Sequence, residues 1–342
     1  MKFGIFDHVD RGREVPLADL YEDRLRMVER YEAAGIHCYH VAEHHATPLG
    51  MAPAPGIFLA AVAQRTRTML FGPLVYILPL YDPVRLAEEI CMLDHLGRGR
   101  FQLGVGRGIS FLELGHFGIA HPEVREIYEE SLAIVLAALG NETLDHAGKR
   151  FRYTGFPMEL RPFQAPHPPL WYGPGTRASA EWSARMKANI VINAPAGAAA
   201  PLIGAFRETW AETHGAAPLP LMGITRQTYV AETDAEAEKR GRPAFDSWFA
   251  SFARLWRDFG ANPTRYPDNF DEARRIGVIT VGSPETVRAE IAEQQERSGC
   301  TYFVSRFAYG DLAFEESARS LDLFAAEVMP HFPDEAARPA AE

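Results

Sequence analysis

Short apolar runs of strand length alternate with segments of helical period along most of the chain, and this rhythm constrains the fold more than any single residue does. The strands fall at about 2–7, 36–42, 69–77, 101–105, 170–173, 189–193, 221–231 and 301–307. Between the first two, Leu20, Leu25, Val28 and Tyr31 recur at helical spacing until Gly35 offers a C-cap. Strict alternation predicts a parallel sheet, and eight such units make an α/β fold of the (β/α)8 TIM barrel type. Two segments break the rhythm and read as insertions. The first, about 141–168, is proline-rich and predicts a small antiparallel excursion. The second, about 234–277, holds the aromatics Phe245, Trp248, Phe249, Phe252 and Trp256, then a stretch around Asn262 and Pro263 that reads as a mobile lid loop. One barrel domain over 1–332 is expected, with a frayed tail over 333–342.

Charge and hydropathy exclude several function classes. The formal net charge is −10 and no basic block stands out, which argues against a nucleic-acid surface. No run of about 18 apolar residues occurs and the apolar start is too short for a signal peptide, so a cytoplasmic protein with no membrane association is expected. Cys38, Cys91 and Cys300 form no CxxC pair and read as reduced core thiols.

In a barrel of this type the reactive groups sit at the C-terminal strand ends. The second strand ends in Glu43-His44-His45, and two adjacent imidazoles behind a carboxylate are a poor way to build a core. Adjacent histidines in extended chain face opposite ways, and no further ligand cluster supplies the roughly four groups that zinc takes, so no metal is expected. The fourth strand ends Gly106-Arg107-Gly108; Ile109 breaks a dinucleotide fingerprint, leaving an arginine that fits a phosphate or carboxylate, or a surface turn. After the fifth strand, Gly173-Pro174-Gly175 leads into Thr176, a natural N-cap, with Ser179 three residues on. Such a helix N-terminus is an anion site, although capping alone would need only Thr176. The set describes a phosphorylated cofactor beside an acid/base group; pyridoxal phosphate, a sugar phosphate and flavin mononucleotide all fit it.

These residues, together with Met1-Lys2-Phe3-Gly4, Pro83-Val84-Arg85-Leu86-Ala87-Glu88-Glu89, Gly99-Arg100-Phe101, Glu181-Trp182, Val281-Gly282-Ser283-Pro284-Glu285 and Val328-Met329-Pro330, resemble the bacterial luciferase-like flavin monooxygenases, above all the luciferase α subunit. The resemblance spans nearly the whole chain. It implies a monooxygenase that receives reduced FMN from a separate NAD(P)H:flavin reductase and oxidises a small organic substrate with O2 through a flavin hydroperoxide. A deazaflavin F420-dependent oxidoreductase and a non-catalytic flavin-binding subunit are the alternatives, and a homodimer is expected. The resemblance makes His44 catalytic with His45 beside it, and makes Arg107, Thr176 and Ser179 phosphate contacts with Gly175 giving backbone access. It also puts Leu74-Val75 under the flavin as a non-prolyl cis peptide. Glu113, at a position where the α subunit also carries an acid, and Asn193, which ends the sixth strand, are expected along the ring's polar edge. Phe6, Tyr76 and Phe111 suggest an apolar substrate pocket. The chain departs from the α subunit at Gly175, where the family has an acid, and at Gly106, where it has a reactive cysteine.

Overall fold

The computed structural model describes residues 1–258 and 266–333. The first half runs β1 (Lys2–Asp7), α1 (Leu17–Ala33), β2 (Cys38–Val41), α2 (Pro55–Arg65), β3 (Leu70–Pro73), β4 (Tyr76–Ile77), α3 (Pro83–Leu96), β5 (Leu103–Gly106), α4 (Phe111–His116) and α5 (Val124–Gly140). An antiparallel hairpin of β6 (Thr143–Ala147) and β7 (Arg152–Pro157) follows. The second half runs β8 (Leu170–Tyr172), α6 (Arg177–Arg185), β9 (Asn189–Ile192), α7 (Ala196–His214), β10 (Met222–Val230), α8 (Asp234–Asp258), α9 (Phe270–Arg275), β11 (Ile279–Gly282), α10 (Pro284–Ser298), β12 (Tyr302–Arg306) and α11 (Phe314–Leu323).

Helix starts follow local chemistry. Asp82 accepts the N–H groups of Val84 and Arg85 at the head of α3, with Pro83 in the first turn. Ser283 does the same for α10, which ends at Gly299 in the left-handed region.

The parallel strands lie in the order β3-β2-β1-β12-β10-β9-β8-β5-β4, with β11 paired to the C-terminal half of β10. Because β3 and β4 are two pieces of one strand, split at a cis Leu74-Val75 peptide as expected, the ring is nearly closed. The ring therefore has the expected eight strand positions, and β11 pairs beside β10 as an additional strand off that ring. The sequence reading assigns no strand between the second insertion and the helix at Ser283; at four residues, directly after α9 and a glycine turn, β11 is too short to show a period of its own. Within that insertion α8 is a helix of 25 residues whose aromatics fall at helical spacing and stack, Phe245 on Phe249 and Trp248 on Phe252. The expected mobile loop around Asn262 and Pro263, and the tail beyond Pro333, lie outside the described residues.

Two cores result from the period of two along the strands. Phe3, Ile5, Tyr39, Val41, Ile224 and Phe303 face the helices. Cys38, Trp171, Val191, Tyr302 and Val304 fill the barrel with Phe6, Leu70 and Leu74. A buried polar chain runs through this interior: Trp171 Nε1 donates to Gln102 Oε1 at 2.8 Å, and His40 Nε2 lies 3.1 Å from the Tyr302 hydroxyl. Burial pushes His40 down to about 3, so it is a neutral member of that chain.

Backbone proximity closes the ring. A Cβ on Gly104 would lie 2.0 Å from the Pro73 carbonyl oxygen, and no rotamer relieves a clash with backbone. Gly104→Ala is expected to destabilise the fold by about 3 kcal/mol, the upper range for overpacking. Gly140→Ala, where the added methyl meets nothing within 4 Å at the end of α5, should instead gain up to roughly 0.5 kcal/mol. Thermal melts of the two variants check this; equal midpoints would show that the seam relaxes freely.

Candidate active site

Glu43-His44-His45 leave the end of β2 at the barrel mouth, and each imidazole meets its own carboxylate. His44 Nδ1 lies 3.1 Å from Oε1 of Glu113, and His45 Nε2 lies 3.0 Å from Oε1 of Glu43. Glu113 is delivered by α4, a short helix that Ser110 caps by accepting the Glu113 N–H. The same Glu113 oxygen accepts the His45 backbone N–H at 2.7 Å. Burial alone would raise the Glu113 carboxyl, but the neighbouring His44 and these hydrogen bonds hold it below the ordinary value. An ionised carboxylate only accepts, so Nδ1 of His44 must carry the proton and Nε2 is left for chemistry at the mouth. Glu43 behaves differently. Burial raises its carboxyl against the opposing effects of His45, of the Ile77 N–H bonded at 2.8 Å, and of Tyr81. The part-buried pair of His45 and Glu43, with the Ile77 N–H on the same carboxyl, links the end of β2 to β4.

The residues expected at a phosphate come together. Arg107, exposed just past β5, lines a cleft of about 520 Å³ with Thr176 and Ser179, walled by Tyr128, Tyr172 and Trp182. Thr176 and Ser179 form a reciprocal capping box at the start of α6, with hydroxyl oxygens 3.0 Å apart. Gly175 is exposed, and a Cβ there would meet nothing within 4 Å, so the backbone before α6 faces open space. Glu129, an acid on the cleft wall, is held by Arg125 at 2.7 Å. A guanidinium, two hydroxyls and a helix N-terminus around a roomy cleft fit a phosphate monoester.

Other expected residues are placed separately. Leu74 packs against the barrel interior, while Val75 Cγ2 would lie 2.3 Å from a Cβ on Gly106. The space that a cysteine would need at 106 is therefore already filled. Glu113 and Asn193 share no hydrogen bond: Glu113 is buried against His44, and Asn193 is exposed one residue past β9. Tyr76 donates to Glu89 of α3 at 2.7 Å, whereas Phe6 faces the interior and Phe111 touches Trp256 of α8.

Sequence reasoning passed over His8, Gln227 and Arg306. His8, just past β1, has its ring 5.6 Å from His44 and 6.2 Å from Trp248. Burial lowers its pKa well below the ordinary value, and Arg306 and His44 add to that effect. Gln227 and Arg306 are buried on β10 and β12. The signal was available: the rule that singled out His44, a polar residue at a strand end, applies equally to His8 and Arg306.

A family model described as luciferase-like monooxygenase matches residues 1–301. The uncharacterized protein y4wF of Sinorhizobium fredii is 37% identical over 332 residues, covering 96% of both chains. The monooxygenase RslO1 from Streptomyces bottropensis superposes with a TM-score of 0.88 at 28% identity, over 97% of this chain and 100% of that one. The oxygenating constituent of 3,6-diketocamphane monooxygenase from Pseudomonas putida, a type II Baeyer-Villiger enzyme in complex with FMN, gives 0.82 at 22% identity, over 97% and 99%. Among the described residues, no helix is long and apolar enough to cross a membrane. With its nearly closed barrel and a model match over most of its length, this chain belongs to the luciferase-like monooxygenase family of flavin-dependent enzymes.

Proposed function

We propose that this protein is the oxygenase half of a two-component system, using reduced FMN from a separate NAD(P)H:flavin reductase and O2 to oxidise a small organic substrate. The observation that carries the reading is the juxtaposition at the C-terminal strand ends: His44 on Glu113, and Arg107, Thr176 and Ser179 around one cleft. The likeness to an oxygenating constituent in complex with FMN supports the choice of cofactor and the need for a reductase. When bound, reduced FMN supplies the two electrons that oxygen insertion needs.

The residues have distinct tasks in this reading. Arg107 and the first turn of α6 hold the phosphate, and Gly175 lets backbone approach it. Leu74 and Val75 form the surface beneath the ring. His44 moves a proton at Nε2 while Glu113 fixes its tautomer and balances the imidazolium charge. His45 positions the strand end. The reading includes a cytoplasmic homodimer, supported by exposed apolar side chains on α2 and α3: Ile57, which is 79% exposed, with Met92 and Leu96.

Oxygen uptake by the purified chain with chemically reduced FMN tests the reading. Absence of uptake, with turnover of reduced deazaflavin F420 instead, would replace monooxygenation by hydride transfer.

Arg107→Ala is expected to weaken reduced FMN binding by about 2 kcal/mol, as for one charge-assisted phosphate contact, and to leave riboflavin affinity nearly unchanged. Equal losses for both flavins would remove Arg107 from the phosphate. His44→Ala should lower turnover at least about 100-fold with flavin binding retained, and Glu113→Gln roughly 10-fold to 100-fold. His45→Ala should be milder. Single-turnover oxygenation assays rank the three, and a larger loss at His45 than at His44 would mean that the proton-transfer role belongs to the other imidazole.

A further inference from the structure

Above Phe6, the barrel mouth carries a surplus of buried hydrogen-bond donors. Arg306 is 2% exposed and its guanidinium lies over the Phe6 ring at 4.8 Å. Its Nη1 donates to Oε1 of Gln227 at 3.4 Å, and its Nε has no partner among the described residues. Gln227, fully buried, also accepts the Tyr266 hydroxyl at 3.0 Å on the same Oε1. Since an arginine can only donate, this fixes the amide orientation and leaves Nε2 of Gln227 without an acceptor. Trp248 Nε1, on a ring that touches both Tyr266 and His8, is a third buried donor without a partner.

Among the described residues, no compensating acceptor is built in. Among the described residues, Arg306 makes no ion pair. Asp10, an acid that acts on it at longer range, is engaged by Arg24 at 3.2 Å and by the Gly310 N–H at 2.8 Å. A buried guanidinium without a carboxylate, beside two more unpaired N–H groups, is costly in a fold that satisfies most of its other buried polar atoms. A ligand bearing an anionic oxygen beside the Arg306–Gln227 pair would meet the donors that these two side chains leave open. From Arg306 the contacts run through Phe6 to His8, 4.8 Å between rings, and from His8 to His44. An anchored ligand would therefore present its remainder to the reactive imidazole.

We propose that Arg306 and Gln227 bind a carboxylate of the organic substrate, so that the enzyme selects small organic acids. This rests on the monooxygenase reading of the same mouth. Trp248 adds an N–H donor and an aromatic wall, and Phe6 supplies the flat apolar floor under the guanidinium.

Isothermal titration of the full chain, free of flavin, uses benzoate and hexanoate against methyl benzoate and hexanamide. The carboxylates should bind and the neutral analogues should not. Arg306→Gln should weaken carboxylate binding at least about 10-fold, the size of one charged hydrogen bond, and Arg306→Lys should restore part of it. Gln227→Glu places the missing carboxylate inside the protein next to Arg306; it should raise the melting temperature while abolishing carboxylate binding. Equal affinity for acid and neutral analogue, no binding of either acid, or unchanged binding in Gln227→Glu would overturn the proposal. Oxygen uptake by the unaltered chain with reduced FMN is measured in parallel. Arg306-dependent carboxylate binding without uptake would sink the monooxygenase reading and leave the acid site standing, and uptake without carboxylate binding would do the reverse.

Discussion

The barrel depends on how closely the split third strand and β5 approach each other. Across this seam the Phe71 N–H reaches the Arg100 carbonyl at 3.2 Å and the Gln102 N–H reaches the Phe71 carbonyl at 2.8 Å. Gly72 and Gly104 face backbone carbonyls at distances where any Cβ would overlap. Beyond the seam, Val75 takes the volume beside Gly106. Two glycine-bearing strands thus let the sheet close and bring the bulge at 74–75 up to the end of β5, next to Arg107. Closure and site construction are one event in this chain.

A second constraint is electrostatic and lies on the opposite side of the mouth. Arg24 of α1 is buried between Asp7 and Asp10, and donates to the Ala308 carbonyl. Tyr39 donates to Asp7 at 2.9 Å, and Asp10 accepts the Gly310 N–H. The cluster ties the ends of β1, β2 and β12 together. Burial raises Asp10 to about 6 despite the lowering effect of Arg24, which shows how far this cluster is removed from water. Breaking such a network by removing one partner leaves an uncompensated buried charge, so its worth lies in geometry more than in net attraction. It holds His8 and Arg306, which leave the ends of β1 and β12, in the same mouth as His44.

The carboxylate pairings separate two histidines that look equivalent in one dimension. Glu113 comes from the loop after β5 and meets His44; Glu43 comes from the same strand end and meets His45. Burial raises both carboxyls; at Glu113 the neighbouring His44 and the His45 N–H outweigh it and hold the group low, whereas at Glu43 burial prevails over His45, the Ile77 N–H and Tyr81. The difference supports the proposed acid/base role of His44 and the milder role proposed for His45. The same logic of unmet or met partners marks the mouth's other pole, where Arg306 and Gln227 carry donors that no side chain among the described residues accepts.

The sequence by itself determined the barrel, the hairpin insertion and the strand ends that carry His44, Arg107 and Thr176, because alternation of period and capping chemistry are local properties. It also determined the capping pair of Thr176 and Ser179, three residues apart. What the tertiary structure decided were encounters between strand ends far apart in sequence. Glu113 lies 69 positions from His44, and only the fold brings its carboxylate to that imidazole. Gln227 and Arg306 lie 79 positions apart and become neighbours only through the register of β10 with β12. β11 was illegible because a four-residue segment after a turn, Ile279-Thr280-Val281-Gly282, is too short to show a period, and only pairing with β10 makes it a strand. Local pattern states which residues stand at the mouth; ring closure and strand register determine which of them face one another, and that is set by non-local packing that no window of sequence contains.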